Sequence, residues 1–249
     1  KDIDDSMLDK TVLNDMAPRS MDKKIIRYNH VVPNSFSASS ISTYLECPLK
    51  YKYQYIDKIP QEGKHYLVSG ILAHLALESV FRKLDFDLDS IKDNINELAE
   101  SFIFESKHQK KVITKHVLNM VSRYVENNEF KSDEILIEQE FSLDINGNTF
   151  SGKIDRIDIL EDGTVNLIDY KTSSTYKTAK QIKKDIQMGI YAMYCLKEMV
   201  INGKKKYSLP KNISIVYLKK EKNQMISIEM TYDELSSIIE EATTAVNDI

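Results

Sequence analysis

Two β-branched, alternating segments joined by a short Asp-Gly link are the feature that most constrains how this chain folds. Residues 151–160 and 165–172 flank Glu161-Asp162-Gly163-Thr164, and an Asp-Gly inside such a polar link is a hairpin signal. Folding about the link sets residue 160 roughly opposite 165, and 155 opposite 169 or 170. Side-chain parity places Val165, Leu167, Asp169 and Lys171 on one face of the second strand. Asp155, Ile157 and Ile159 share one face of the first. If the apolar members mark a common face, two carboxylates and an ammonium converge at its open end.

That combination suits a hard divalent cation, Mg²⁺ or Mn²⁺, which takes oxygen ligands and keeps positions open for water and a phosphate. Such a cation acidifies water and offsets charge building on a phosphoryl group. Lys171, two residues beyond a ligand, points to the same side and suits orienting the attacking water or holding the phosphoryl oxygens. The triplet taken alone also reads as solvated strand-end acids with a lysine partner, so the rest of the chain has to decide.

The 249 residues, 42% hydrophobic and 29% charged, are ordinary for one large or two modest globular domains. No apolar run approaches a membrane span, and the start, Lys1-Asp2-Ile3-Asp4-Asp5, is not a signal peptide. A start without Met points to a fragment or a processed product. Two cysteines, Cys47 and Cys195, build no disulfide framework, which points to a reducing, cytoplasmic setting. Net charge is −4, yet twelve Lys against three acids between residues 177 and 222 leave that stretch at +9. Such asymmetry fits a polyanion-binding face, or a Lys-rich solvated helix.

Residues 1–35 lack periodicity and read as a linker or extended arm. Ser37-Ala38-Ser39-Ser40 offers N-caps for a helical pattern through Tyr53, which Pro48 splits into two short helices. A loop is expected over 59–63 and a helix over 69–84 with Leu72, Leu75, Ala76, Val80 and Leu84 as its buried stripe. Further helices are expected over 91–127, with the basic stretch Lys107-His108-Gln109-Lys110-Lys111 between them. After Glu134 the period becomes two: Ile135, Ile137, Gln139, Phe141 and Leu143 share one strand face, and Asn146-Gly147 turns the chain into the Asp155 strand. One long helix over 178–200, strands over 213–218 and 225–230, and a helix capped at Thr231-Tyr232-Asp233-Glu234 complete a mixed α/β order.

His74 sits mid-helix in Gly70-Ile71-Leu72-Ala73-His74-Leu75-Ala76-Leu77-Glu78. A lone histidine there is most often a core-edge residue, but imidazole also completes a carboxylate pair around Mn²⁺ or Mg²⁺. Glu78, one turn on, is either its hydrogen-bond partner or an exposed acid. Gln187, Tyr191 and Tyr194 fall on one face of the expected long helix, with Lys184 three residues before them. Amides, phenols and ammoniums contact phosphates and sugars, and Tyr rings stack on bases. The same face equally fits an aromatic stripe packed on a sheet.

Taken together these residues resemble the RecB-type branch of the PD-(D/E)XK nuclease superfamily. The matching elements, in the family's order, are Gly70-x-x-x-His74-x-x-x-Glu78, then Glu140, then Gly152-Lys153-Ile154-Asp155-Arg156-Ile157-Asp158. Asp169-Tyr170-Lys171-Thr172 and Gln187-x-x-x-Tyr191 follow. Upstream, Ser39-x-Ile41-x-x-Tyr44-x-x-Cys47-Pro48-Leu49-Lys50-Tyr51-Lys52-Tyr53 resembles nuclease domains fused behind UvrD/RecB-like DNA helicases.

The resemblance implies a restriction-endonuclease-like α/β core, a mixed central β-sheet flanked by helices, over residues 36–249. A helical subdomain over 85–130 is inserted, and 134–249 with the His74 helix makes the catalytic core. It implies that His74, Asp155, Asp169 and the Tyr170 carbonyl hold Mg²⁺ or Mn²⁺ and that Lys171 assists water activation. Gln187 and Tyr191, with Lys184 and Arg156, hold the strand or support the site; Glu140 matches a family acidic position or, by parity, pairs with a strand neighbour, and Glu78 is a further candidate. The implied activity is a metal-dependent deoxyribonuclease, an exonuclease on single-stranded DNA or DNA ends, working with a helicase domain in repair or recombination. Alternatives are a stand-alone CRISPR-associated RecB-like exonuclease and a non-catalytic DNA-binding module. Some members carry an iron–sulfur cluster, and Cys47 matches its first ligand. Nothing after Cys195 supplies the others, so a four-cysteine site needs residues outside this chain.

Overall fold

The computed structural model describes residues 33–59, 65–130, 132, 134–201, 203–205 and 208–249. The arm expected over 1–35, apart from its last three residues, and most of the loop expected over 59–63 lie outside them. Ser37 caps helix α1 (Ala38–Glu46), and Pro48 opens α2 (Pro48–Tyr51) after Cys47 turns extended. Proline lacks the amide that would continue α1, so the split at Cys47-Pro48 follows. One π-helical turn, Lys52–Ile56, comes next.

Helix α3 (His65–Lys83) begins four residues before the expected start. It buries Leu72, Ala73, Ala76, Leu77, Val80 and Phe81. Leu84, expected to close that stripe, is instead 61% exposed, because it takes φ 50 and ends the helix. Helices α4 (Leu88–Ala99) and α5 (Lys107–Glu126) pack against α3. The basic stretch expected between helices opens α5, since the Ser106 hydroxyl accepts from the Gln109 amide and starts the helix there.

Strands β1 (Glu134–Ile145), β2 (Asn148–Ile159) and β3 (Val165–Lys171) form an antiparallel meander. Asn146 and Gly147 turn β1 into β2 with φ 54 and 81, the paired positive values a two-residue hairpin requires. Leu160 was expected to pair with residue 165; its amide and carbonyl bond Thr164 and Gly163 inside the turn, so Ile159 pairs with Val165. After β3 come α6 (Ala179–Ile182), α7 (Ile186–Lys197), a hairpin of β4 (Val200–Ile201) and β5 (Lys204–Lys205), and β6 (Asn212–Tyr217). Strand β7 (Met225–Ile228) and α8 (Tyr232–Asp248) end the chain. The single long helix expected over 178–200 is broken, because the Asp185 carboxylate accepts from the amides of Gln187 and Met188 and starts α7 anew.

The five-stranded sheet runs β1-β2-β3-β6-β7, with β3 and β6 parallel across the α6–α7 crossover and every other pair antiparallel. Helices α1, α7 and α8 cover one face over a core that includes Phe150, Ile154, Ile157, Leu167 and Ile215. Helices α3, α4 and α5 cover the other, over Ile168, Tyr170, Val216 and Leu218. Each β3 neighbour pair therefore splits between two cores, as a sheet buried on both faces demands.

One irregularity shapes the site. The β1–β2 ladder is continuous except where Glu138 and Asp155 stand opposite each other. Glu138 has φ 52, a left-handed value in the middle of a strand. The pair of strands swaps faces at this point. Ile135 and Ile137 pack with the α3–α5 core, whereas Phe141 and Leu143 pack with the α1–α7–α8 core. In β2, Ile154 faces the α1–α7–α8 side, Arg156 lies against Phe81, and Ile157 returns to the first side. The expected common face for Ile135, Ile137, Phe141 and Leu143 is thus wrong, because one left-handed residue resets the two-residue period.

Candidate metal centre

The β2–β3 register, continued one step past Arg156↔Ile168, places Asp155 beside Asp169. Asp155 uses one carboxylate oxygen to accept the Tyr170 amide at 2.7 Å, finishing the ladder with a side chain. Its other oxygen lies 3.3 Å from His74 Nδ1. Helix α3 brings His74 there because Gly70, one turn earlier, lets it approach the end of β3 closely. A Cβ on Gly70 would stand 3.0 Å from Thr172 Oγ1. The Tyr170 carbonyl faces the same neighbouring strand as its amide, hence toward Asp155, because both groups of one strand residue point to one side.

Glu138 completes the cluster. One ligand atom each from His74, Glu138 and Asp155 lies within 4.8 Å of the other two, in a group that is neither sealed nor fully exposed. Glu138 also meets Lys153 Nζ at 3.4 Å. Glu140, which matched a family acidic position, is 82% exposed in its side chain and lies 3.9 Å from Lys153 Nζ. The face swap at Glu138 turns that residue inward and Glu140 outward. Glu140 thus pairs with its cross-strand neighbour Lys153, the alternative that parity offered for it, while nothing in the sequence reading singled out Glu138.

Asp169 lies next to this group, 3% exposed, with its carboxylate engaged by two neighbours. Lys171 Nζ is 2.7 Å from Oδ2, and Gln187 Nε2 donates to Oδ1 at 3.1 Å. Gln187 also accepts from Lys171 Nζ at 2.9 Å and donates to Tyr191 Oη at 2.7 Å. Tyr191 in turn donates to the Lys153 carbonyl at 2.8 Å. Gln187 and Tyr191 therefore act through Asp169 and Lys171, positioned by the first turns of α7.

The electrostatics follow from crowding acids in a buried place. Burial first, then the Asp155 charge, push the Asp169 carboxyl up to about 6, against the pull of Lys171. Burial and Asp155 likewise raise Glu138. For His74, burial works downward, but the hydrogen bond and charge of Asp155 outweigh it and hold the imidazole above its ordinary value. Burial opposes the Lys171 charge as well, yet the Asp169 carboxylate beside it keeps that ammonium above its usual range. Three carboxylates and one imidazole beside two ammoniums, Lys171 and Lys153, leave excess negative charge while the imidazole is neutral. A divalent cation relieves it, and the oxygen and nitrogen donors fit Mg²⁺ or Mn²⁺.

Other expected residues fall elsewhere. Arg156 is 2% exposed on the reverse face of the sheet, doubly bonded to Asp158 at 2.5 Å and lying 3.9 Å over the Phe81 ring. It therefore lies behind the cluster, away from His74 and Asp155. Lys184 is exposed in the α6–α7 break, so its helical relation to Gln187 is lost. Glu78 accepts from Arg82 Nε at 2.9 Å and not from His74. Cys47 and Cys195 are both free thiols; Cys195 is buried, and burial pushes it up to about 12.

A mixed five-stranded sheet flanked by helices, with acids and a lysine at the ends of two adjacent strands, is a nuclease-like architecture. Residues 35–249 match the PD-(D/E)XK nuclease superfamily, and the chain belongs to it. Among curated relatives, an ATP-dependent helicase/deoxyribonuclease subunit of Streptococcus uberis is 27% identical over 165 residues. That alignment covers 60% of this chain and 15% of the relative. The Streptococcus agalactiae protein of the same name is 25% identical over 187 residues, 69% of this chain and 16% of the relative. The chain thus spans about a sixth of the relatives it matches. A crystal structure of a candidate exonuclease from Eubacterium rectale shares the fold, with a TM-score of 0.53 at 15% identity over 86% of this chain and 82% of that one. Among the described residues no helix is long and apolar enough to cross a membrane.

Proposed function

We propose that this chain hydrolyses phosphodiester bonds of DNA with Mg²⁺ or Mn²⁺, as an exonuclease on single strands or ends. The observation that carries this reading is the convergence of His74, Glu138 and Asp155 next to the Asp169–Lys171–Gln187 chain. His74, Glu138, Asp155, Asp169 and the Tyr170 carbonyl would hold the cation. When bound, it supplies electrophilic pull on phosphoryl oxygens and acidifies water. Lys171 keeps its proton, so its part is to orient water and hold a phosphoryl oxygen by donation, not to remove a proton. Gln187 fixes the Lys171 and Asp169 side chains in one arrangement, which serves positioning.

The names of the relatives support a role beside a helicase, in one polypeptide or one complex. The test is a time course on end-labelled single- and double-stranded DNA. The protein should cut with Mn²⁺ or Mg²⁺ and stop on EDTA, and Asp169→Asn or Lys171→Ala should cut at least about a thousandfold more slowly while melting as a folded protein. Cleavage by either variant at the parent rate, or cleavage in EDTA, removes the assigned site.

A further inference from the structure

A second charged region begins one strand over from Lys171. The Leu218 amide donates to the Lys171 carbonyl at 2.9 Å, so the β6–β7 turn starts where the proposed centre ends. This turn carries Lys219 and Lys220. Lys220 Nζ donates to the Asn223 carbonyl at 3.2 Å, and Arg123 of α5 donates to the Lys220 carbonyl at 3.4 Å. The turn and α5 are therefore tied together, and His116 lies two turns before Arg123 on the same helix.

These cations lack acidic partners. Among the described residues no carboxylate forms an ion pair with Arg123, Lys219 or Lys220, and Glu221, the acid of the turn, is itself exposed and unpaired. Burial first, then Lys219 and Arg123, depress His116, as expected where like charges crowd without an anion. Beside them stands an aromatic ring. Tyr176 is 41% exposed, crosses Tyr217 edge-on at 5.0 Å and has Lys220 Nζ 5.3 Å from its ring centre. The Lys177 amide donates to Tyr217 Oη at 2.7 Å, which anchors the segment carrying Tyr176 to β6.

Cations held by backbone bonds next to a half-exposed ring match what an unpaired nucleic-acid strand offers: regularly spaced phosphates and bases with open faces. We infer that Arg123, Lys219, Lys220 and Tyr176 form a track that grips the strand beyond the phosphate being cut. The track selects a flexible single strand. A backbone leaving the Lys171 end has to follow the β6–β7 turn closely, and Tyr176 stacks only on a base whose face is free. The inference rests on the proposed nuclease reading for its direction, since the track leads away from that centre.

The test uses the whole chain and two kinds of substrate. Lys219→Ala/Lys220→Ala and Tyr176→Ala are compared with the parent for binding a long fluorescent single strand in EDTA, read by anisotropy across a salt series. The double variant should bind about tenfold more weakly, with its salt slope shallower by about 1.4, two lost single-strand phosphate contacts. Tyr176→Ala should lose affinity with the slope unchanged. Hydrolysis of bis(p-nitrophenyl) phosphate with Mn²⁺ should match the parent in both variants, because this ester is too small to reach the track. Parent-like affinity and slope in the double variant overturn the track, as does equal displacement of the strand by polyglutamate, which marks a protein-binding face. Failure of the parent to hydrolyse the small ester counts against the nuclease reading alone, since strand binding in EDTA is read independently.

Discussion

Two acid–base clusters lie back to back on strands β2 and β3, and they are built on opposite principles. On one side Arg156 and Asp158 join through two bonds of 2.5 Å, with the guanidinium lying against the Phe81 and Phe130 rings. On the other, His74, Glu138 and Asp155 cluster beside the Asp169–Lys171 pair, where three carboxylates meet two ammoniums, Lys171 and Lys153, and His74 is a third exposed in its side chain. Adjacent residues of one strand thus serve stability and chemistry separately. Burial is common to both clusters. What separates them is charge balance: a matched pair is closed, while an excess of carboxylates in reach of solvent invites a cation.

The strongest way to break this contrast is to unbalance the closed side. Arg156→Met leaves Asp158 buried without its partner and should lower stability by about 3–5 kcal/mol in chemical denaturation. Cleavage per folded molecule should remain near the parent's. A large loss of turnover in fully folded Arg156→Met would show that the two clusters are not independent.

A smaller effect separates two of the acids of β1, Glu138 and Glu140. Glu138→Gln should weaken Mn²⁺ affinity about 10–100-fold by titration calorimetry, while Glu140→Gln leaves it unchanged. The reverse ranking would return the ligand role to Glu140 and make the left-handed Glu138 backbone a structural matter only.

The mildest effect is on pH. The Asp169 carboxyl sits at about 6 in the fold against an ordinary 3.8, so the folded form holds the extra proton between those values. Metal-free stability therefore falls as pH rises through that window and levels off above it. A cation displaces that proton and the one His74 keeps, so its affinity should fall as pH drops through about 6, by up to about tenfold per unit for each proton displaced. Stabilisation of the melting temperature by Mn²⁺ should grow from about pH 5 to about pH 7. Stabilisation independent of pH would place the cation away from Asp169.

Much of this was legible in the chain itself, because its signals are local. Asn146-Gly147 and Asp162-Gly163 set the hairpins, Pro48 split the first helix, and Thr231 with Glu234 capped the last. Short turns fix register over a few residues, so the Asp162-Gly163 link brought Asp155 opposite 169 or 170, and the observed ladder selects Asp169. Tertiary structure decided what depends on distant partners or on a single backbone angle. Glu138 joined His74 and Asp155 because one left-handed residue moved every later side chain of β1 to the other face. Arg156 turned inward because α3 supplied an aromatic wall, and Lys184 left its helix because Asp185 found two amides to accept from. Periodicity reads a strand only while its period holds, and at this centre the fold breaks the period where it turns a third acid inward.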